Sequence, residues 1–282
     1  MIVAIASGKG GAGKTTVATN LARVAFAGGA PVHLCDCDVE KPNCHIFVKP
    51  VIDRHETVSL SVPKVSQLKC SACGQCAEIC AFGAIVCIKN QVLTFPELCH
   101  GCTACRTVCP QDAITKSRRE IGCLESGRAA GCEFSQGRLR IGEAMPVPIV
   151  REIKKLLDRE KLSIVDAPPG TSCPMVIAVK DSDFVCLVTE PTPFGLNDLQ
   201  LAVEVVRQLG LPLGVIINRS GIGNGRVRDY CRDQGLEILA EIPDDRRVAE
   251  AYSRGVMACE AIPEMKEIFL SLLAGITEKV NR

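Results

Sequence analysis

The chain has 282 residues, of which 47% are hydrophobic and 23% are charged. Lys and Arg total 33 and Asp and Glu total 32, and this balance argues against nucleic-acid binding that depends on bulk positive charge. The lack of Trp and the presence of only 2 Tyr disfavour stacking on single strands. No uncharged apolar run is long enough to cross a bilayer, so we expect no stable membrane insertion.

Cysteine is unusually frequent, with 18 residues in the chain. The first residues, MIVAIASGKGGAGKTT, have neither the basic start nor the cleavage site of a signal peptide, so we expect a cytoplasmic protein. In a reducing compartment, a high cysteine content indicates metal binding more often than disulfide formation. The cysteines are therefore interpreted as candidate metal ligands.

The hydrophobic pattern predicts strands and helices in alternation along most of the chain. Strands are expected at Met1–Ser7, Val32–Asp36, Leu162–Asp166, Phe184–Thr189, Leu213–Asn218 and Glu237–Ile242. Helices are expected at Lys14–Ala27, Pro148–Glu160, Leu196–Leu209 and Arg226–Gln234. Such alternation is typical of an α/β fold with a mostly parallel sheet flanked by helices.

Residues 61–118 interrupt this alternation and contain an internal repeat. The sequence CSACGQCAEICAFGAI begins at Cys70, and CHGCTACRTVCPQDAI begins at Cys99 with its cysteines in the same register. We interpret residues 61–118 as a small inserted α+β domain, because loop tips of a rigid scaffold accept insertions. The α/β domain would then consist of residues 1–60 and 119–282.

A phosphate-binding loop is predicted between the first strand and the first helix. The segment Gly8–Thr15 fits the pattern G-x-x-x-x-G-K-[ST] in full and lies in the strand-to-helix context that the pattern requires. Its backbone N–H groups would surround phosphates, Lys14 would reach the β- and γ-phosphates, and the Thr15 hydroxyl would bind Mg²⁺. The alternative is a glycine-rich turn that only caps a helix.

The loop carries a second lysine, Lys9, in the sequence KGGAGKTT. It therefore resembles the deviant phosphate loop of the MinD, Mrp and nitrogenase-iron-protein family of P-loop ATPases. This resemblance implies a homodimer in which Lys9 contacts the nucleotide of the other subunit. The segment CDCDVE at 35–40 resembles the family's switch I, which implies that Asp36 lies near Mg²⁺ and that Asp38 positions the attacking water. DAPPG at 166–170 resembles switch II, which implies that Asp166 lies behind the metal.

Two further segments resemble the part of this family that binds the base. Asn218 ends a predicted strand and matches the adenine-contacting asparagine, and IPDD at 242–245 resembles the loop that closes over the base. The implied nucleotide-binding residues are Gly8, Lys9, Gly10, Gly11, Ala12, Gly13, Lys14, Thr15, Thr16, Asp36, Asn218, Pro243 and Asp244. The implied catalytic residues are Lys9, Lys14, Asp38 and Asp166. Taken singly, each acidic residue could instead cap a turn or a helix.

The cysteine repeat matches the pattern of bacterial two-cluster ferredoxins, C-x₂-C-x₂-C-x₃-C, in both copies. In that pattern the first three cysteines of a copy bind one [4Fe–4S] cluster, and the fourth binds the other. One cluster is therefore assigned to Cys70, Cys73, Cys76 and Cys109. The other is assigned to Cys99, Cys102, Cys105 and Cys80. Thiolates also suit zinc, but zinc ribbons pair their CxxC units across a longer gap.

The remaining cysteines are mostly expected to be small buried hydrophobes, Cys186 and Cys231 among them. Cys173 follows switch II at the offset of a cluster-ligating cysteine in the nitrogenase iron protein. That resemblance implies a third, dimer-bridging cluster with Cys132 or Cys123 as its second ligand. The alternative, which we favour, is an inert thiol. The CPxC pair of Mrp-type cluster scaffolds is absent, because Cys173 is followed by Pro-Met-Val.

The C-terminal sequence predicts an amphipathic helix. Its apolar face carries Met265, Ile268, Phe269, Leu272, Leu273 and Ile276. MinD uses a C-terminal amphipathic helix to lie on membranes. Here the neighbouring acidic and basic residues nearly cancel, so we expect the helix to pack on the sheet instead.

Over the whole chain, the sequence resembles MinD-superfamily ATPases that carry an inserted ferredoxin domain. The resemblance implies ATP, Mg²⁺ and two [4Fe–4S] clusters as cofactors, and a homodimer in which ATP hydrolysis gates electron transfer to an unidentified redox partner. The first alternative is an ATPase that assembles or delivers iron–sulfur clusters or metal. The second is a positioning ATPase of MinD type whose clusters sense redox state.

Overall fold

The computed structural model describes residues 1–129 and 131–281. Within them, strands β1 to β11 are Ile2–Ala6, Val32–Asp36, Val51–Val65, Ile85–Ile88, Gln91–Thr94, Ile114–Ala129, Cys132–Leu139, Leu162–Asp166, Phe184–Thr189, Leu213–Ser220 and Ile238–Pro243. Helices α1 to α11 are Lys14–Ala27, Cys44–Val48, Gln75–Glu78, Ala104–Thr107, Val147–Lys154, Cys173–Val179, Pro193–Gln208, Arg226–Asp233, Arg246–Ser253, Ala258–Ala261 and Pro263–Val280. A short 3₁₀ turn lies at Pro96–Leu98.

Nine strands form one sheet in the order β11-β10-β9-β1-β8-β2-β7-β6-β3. The seven strands from β11 to β7 are parallel to their neighbours, whereas β6 and β3 are antiparallel additions at one edge. The central strands β1, β2, β8 and β9 are buried along their whole lengths, as a parallel sheet covered on both faces requires. The expected α/β fold with a mostly parallel sheet is confirmed.

The side-chain alternation of the strands divides the core into two layers. In β1, Val3 and Ile5 join the layer under α1 and α11, while Ala4 and Ala6 join the layer under α5, α6, α7 and α8. Both layers are apolar because successive strand residues point to opposite faces and both faces carry helices. By packing on both faces, the helices fix the positions of the carboxyl ends of the parallel strands, which lie together at one edge of the sheet, here called the carboxyl edge.

Four predicted elements have the observed bounds, most others differ by one or two residues at an end, and two helices differ by more for local reasons. Helix α5 ends at Lys154 rather than at Glu160, because its last turn tightens into hydrogen bonds from Lys155 N to Glu152 O and from Leu156 N to Ile153 O. Helix α7 begins earlier than predicted, because the Thr192 side chain caps it.

The cysteine repeat is joined to the sheet by a long antiparallel ribbon of β3 and β6. The two strands pair from Val51 opposite Arg128 to Val65 opposite Ile114. At its inner end β6 also pairs with β7, whereas the outer end leads into the small β4–β5 sheet and the helices α3 and α4. The expected boundaries at residues 61 and 118 therefore fall inside continuous strands.

The C-terminal helix α11 packs on the protein core. Met265, Phe269, Leu272 and Ile276 are buried in the layer that also contains α1. This confirms that the apolar face covers the sheet. Among the described residues, no helix combines the length and the apolar character needed to cross a membrane.

We expect Phe269→Ala to lower the free energy of unfolding by about 3–5 kcal/mol, because it removes a ring from a site that is 1% exposed. Denaturant unfolding measures the change. The matched control is Leu270→Ala, whose side chain is 36% exposed on the same helix and should change stability by less than about 1 kcal/mol. Equal losses in the two variants would contradict the packing described for α11.

Candidate functional site

The loop between β1 and α1 has the conformation that its glycines permit. Gly11 and Gly13 have φ of 81° and 100°, and a Cβ on Gly13 would lie 2.2 Å from Asn218 Nδ2. Lys14 opens α1 with a side chain that is almost wholly buried, and its Nζ donates to Ser7 Oγ at 3.1 Å. A buried ammonium with a neutral partner favours an anionic ligand beside it.

Two carboxylates meet at the carboxyl edge of the sheet, as predicted. Asp166 Oδ2 accepts a hydrogen bond from Thr15 Oγ1 at 2.6 Å, and Asp36 lies directly opposite Asp166 on the neighbouring strand. The second oxygen of Asp166, Oδ1, is buried without a hydrogen-bond partner among the described residues. A hydroxyl and a free carboxylate oxygen are the hard donors that Mg²⁺ prefers, so this set fits a magnesium ion.

Burial raises the pKa of both carboxyls, and the nearby Asp166 charge raises the pKa of Asp36 further. Burial also raises the pKa of Asp38, against the opposing effect of Lys14. A cation bound between Thr15 and Asp166 would favour the charged carboxylates again.

The segment after β2 is folded around Asp36. Asp36 Oδ1 accepts from Asp38 N at 3.1 Å, and Asp36 Oδ2 accepts from Asn43 N and Cys44 N at 2.9 and 3.0 Å. The Cys44 thiol in turn donates to Asp166 Oδ2 at 3.3 Å. Sequence reasoning gave Cys44 no role, and its contact with Asp166 joins residues far apart in the chain.

A single pocket collects most of the predicted nucleotide-binding residues. It is lined by Gly10, Gly11, Gly13, Lys14, Thr15, Thr16, Asp38, Asn218, Pro243 and Asp244. Sequence reasoning missed Lys41, Asn43, Arg219 and Tyr252, which also line it.

Asn218 supports the phosphate-binding loop directly. Its Nδ2 donates to Ala12 O at 2.9 Å, while its Oδ1 accepts from Arg219 N at 3.0 Å. Because Ala12 is 1% exposed, this carbonyl depends on Asn218 for a partner. The Asn218 side chain thus holds the loop in shape from β10.

Lys9 has an acidic partner within its own chain. Its Nζ lies 3.0 Å from Glu190 Oε2, and Glu190 Oε1 lies 3.0 Å from Arg219 Nη1. Glu190 is nearly buried, and sequence reasoning missed it as well. Its position in the loop after β9 gave no recognisable signal.

The eight repeat cysteines group into two pockets. One pocket is lined by Cys70, Cys73, Cys76 and Cys109. The other is lined by Cys80, Cys99, Cys102 and Cys105. Each pocket thus takes three cysteines from one copy of the repeat and the fourth from the other copy.

The two cysteine loops repeat each other in backbone conformation. Ala72 and Gly101 have φ of 52° and 72°, and Gly74 and Thr103 have φ of 84° and 62°. Backbone N–H groups donate to sulfur from Ala72 to Cys70 at 3.4 Å, from Gly101 to Cys99 at 3.4 Å and from Ala113 to Cys109 at 3.3 Å. Four thiols around a pocket, with N–H donors to sulfur, form a donor set that fits a [4Fe–4S] cluster.

Cys132 and Cys173 do not lie together. Strand β7 is parallel to β2, and β2 is parallel to β8, so Cys132 begins β7 at the amino edge of the sheet. Cys173 opens α6 after the carboxyl end of β8, at the opposite edge. The structure therefore contradicts a third cluster bound by these two residues. Cys186 and Cys231 are buried, as expected.

Comparison with known proteins identifies the family. Residues 3–258 match the family model described as the CobQ/CobB/MinD/ParA nucleotide binding domain. The chain belongs to this family. As a CobQ/CobB/MinD/ParA-type protein, it is an ATP-binding MinD/ParA-like ATPase, and the pocket at the carboxyl edge is its candidate nucleotide site.

Three proteins illustrate the range of similarity to known proteins. An uncharacterized protein of Methanocaldococcus jannaschii is 32% identical over 258 residues, which cover 90% of each chain. The iron-sulfur cluster carrier protein of Aquifex aeolicus is 24% identical over 307 residues, covering 99% of this chain and 68% of its own. The structure of MinD from Pyrococcus horikoshii, complexed with Mg-ADP, has a TM-score of 0.61 at 21% identity and covers 98% and 95% of the two chains.

We expect Asn218→Ala to weaken nucleotide binding about tenfold, because it leaves the buried Ala12 carbonyl unpaired at a cost of about 1–3 kcal/mol. Fluorescent-nucleotide titration measures the dissociation constant. Asn224→Ala, in the exposed loop beyond β10, is the matched control and should bind normally. Normal binding by Asn218→Ala would show that the loop holds its shape without this side chain.

Proposed function

We propose that this chain is a Mg-ATP-dependent homodimeric ATPase with a deviant phosphate loop, which couples hydrolysis to electron transfer through two [4Fe–4S] clusters held by residues 61–118. The observation that supports this proposal is the continuous ribbon of β3 and β6. It links the sheet that carries the Asp36–Asp166 site to the loops that carry the cysteine sets.

The roles of the nucleotide-site residues follow from their chemistry. Lys14 binds the β- and γ-phosphates, and the backbone of the glycine loop donates to their oxygens. Thr15 and Asp166 hold Mg²⁺, which neutralises phosphate charge when it is bound. Asp38 accepts a hydrogen bond from the attacking water and orients it in line with the γ-phosphate.

The cysteine loops supply the proposed redox part. Cys70, Cys73, Cys76 and Cys109 hold one cluster, and Cys99, Cys102, Cys105 and Cys80 hold the other. Bound clusters would carry single electrons. Cys73 and Cys102 are exposed, so each set has one ligand at the protein surface, where a partner redox protein can approach.

Coupling between the two parts is proposed to pass through the segment after β2. Asp36 accepts hydrogen bonds from the backbone amides of Asn43 and Cys44 at the start of α2. Helix α2 ends at Val48, and β3 begins shortly afterwards at Val51. A nucleotide-dependent shift of this segment would therefore move the inner end of the ribbon. The γ-phosphate acts as the ordering ligand in such switches.

An anaerobic redox titration followed by EPR, run without nucleotide and with Mg-ATP, tests the coupling. In the wild type, Mg-ATP should shift the potential or line shape of at least one cluster, and spin integration should count two clusters. The control Lys14→Ala should show no nucleotide effect and an ATPase rate reduced about a hundredfold or more, because it lacks the phosphate-binding ammonium. Identical titrations of the wild type with and without Mg-ATP would reject gated electron transfer.

Lys9→Ala should abolish ATP-dependent dimerisation, because the proposed contact with the nucleotide of the other subunit is lost. Size-exclusion chromatography with light scattering measures the mass of the ATP-bound protein under conditions that slow ATP hydrolysis. The matched variant Glu190→Gln removes the negative charge that faces both Lys9 and Arg219 within the chain, leaves Lys9 in place, and should still dimerise. A normal dimer with normal turnover in Lys9→Ala would reject the cross-subunit role.

A second function is supported by similarity to the Aquifex aeolicus iron-sulfur cluster carrier protein over nearly the whole chain. In this alternative, the ATPase delivers clusters to an acceptor. Its test is incubation of the cluster-loaded protein with an iron–sulfur apoprotein and Mg-ATP. ATP-dependent activation of the acceptor supports delivery, whereas retention of iron by this chain supports electron transfer.

A further inference from the structure

A row of polar residues crosses the sheet from the nucleotide site to the ribbon. Asp166 lies opposite Asp36, Asp36 lies opposite Gln136 on β7, and Gln136 lies opposite Glu125 on β6. The row ends with His55 on β3, opposite Glu125. Neighbouring strands are about 4.8 Å apart, so Glu125 is about two such spacings from Asp36.

Three potential metal ligands converge at the ribbon end of this row. One ligand atom from each of His55, Cys123 and Glu125 lies within 4.8 Å of the other two. Cys123 and Glu125 are two residues apart on β6 and therefore point to the same face, and His55 is the cross-strand neighbour of Glu125. The convergence thus follows from strand register.

The Glu125 carboxylate is oriented by two neighbours on β7. Its Oε2 accepts from Gln136 Nε2 at 2.5 Å and from Arg138 Nε at 3.2 Å. Its Oε1 lies 3.9 Å from His55 Nε2, a separation longer than a hydrogen bond. Outer residues that fix one carboxylate oxygen and leave the other free are typical of metal sites.

We propose that His55, Cys123 and Glu125 bind a divalent cation of the zinc class. A thiolate, an imidazole and a carboxylate together suit Zn²⁺ better than Mg²⁺ or Ca²⁺, which take oxygen ligands. The His55 side chain is 60% exposed, so the fourth position is open to water. The eight repeat cysteines are not part of this site, which is independent of the proposed function.

The site has a defined place between the two parts of the protein. Gln136 separates Glu125 from Asp36 in the cross-strand row, and the ribbon that carries His55 and Cys123 continues to the cysteine loops. A cation here would clamp β3 to β6 beside the nucleotide site. Because metal binding displaces the Cys123 proton, zinc uptake releases a proton.

Zinc binding to the full chain tests the proposal. The protein is purified anaerobically with its iron content measured, and ZnCl₂ is titrated by calorimetry with zinc quantified after dialysis. We expect one zinc per wild-type chain, and at least tenfold weaker binding in Cys123→Ser and in His55→Gln at unchanged iron content. The control Cys173→Ser, at an exposed thiol away from the ribbon, should bind zinc as the wild type does.

X-ray absorption at the zinc edge provides a second readout that does not depend on the variants. One sulfur among nitrogen and oxygen ligands supports the site. Zinc bound only by sulfur would place the ion in the cysteine loops and overturn the proposal. Wild-type affinity in both Cys123→Ser and His55→Gln would overturn it as well, as would a wild type that retains no zinc.

Discussion

The hydrogen bonds accepted by the buried carboxylate of Asp36 are the interaction on which the arrangement of the sheet edge and the ribbon depends. This carboxylate is 0% exposed and accepts three backbone hydrogen bonds from the segment that follows it. These bonds fold residues 36–44 into a compact turn and set the start of α2, from which the chain enters the ribbon. One side chain thus fixes both the wall of the nucleotide pocket and the direction in which β3 leaves it.

The same carboxylate lies beside Asp166, and the pair defines the electrostatics of the site. Burial raises the pKa of both groups, and each ionised form is supported by hydrogen bonds from Cys44. Two buried negative charges on adjacent strands are unfavourable unless a cation is near. Lys14 supplies part of that charge, and Asp166 Oδ1, which has no hydrogen-bond partner within residues 1–129 and 131–281, is where a divalent ion would supply the rest. A bound cation would therefore stabilise the ionised form of the two carboxyls.

Local sequence signals determined the elements that lie in the parallel part of the sheet. Helix α1 and strand β2 were predictable to the residue, because continuous apolar strands and helical spacing leave few alternatives there. The pairing of β3 with β6 was not predictable in this way, since its register joins residues about fifty positions apart or more across the cysteine loops. Glu190 and Cys44 were missed for the same reason: their contacts with Lys9 and Asp166 exist only after the strands have been ordered.

The ribbon of β3 and β6 is also the connection through which a movement would pass between the large sheet and the cysteine loops. Strands β3 and β6 are paired over nearly their whole lengths, with register shifts at Ile52/Arg54 and Val58/Ser59. Such irregularities disrupt the ladder locally, bend the strand and increase its twist, so the ribbon is expected to bend at these two points. Only the inner half of β6 is held by β7. If α2 moved, as the proposed coupling requires, its displacement beside the start of β3 would reach the cysteine loops through this paired ribbon.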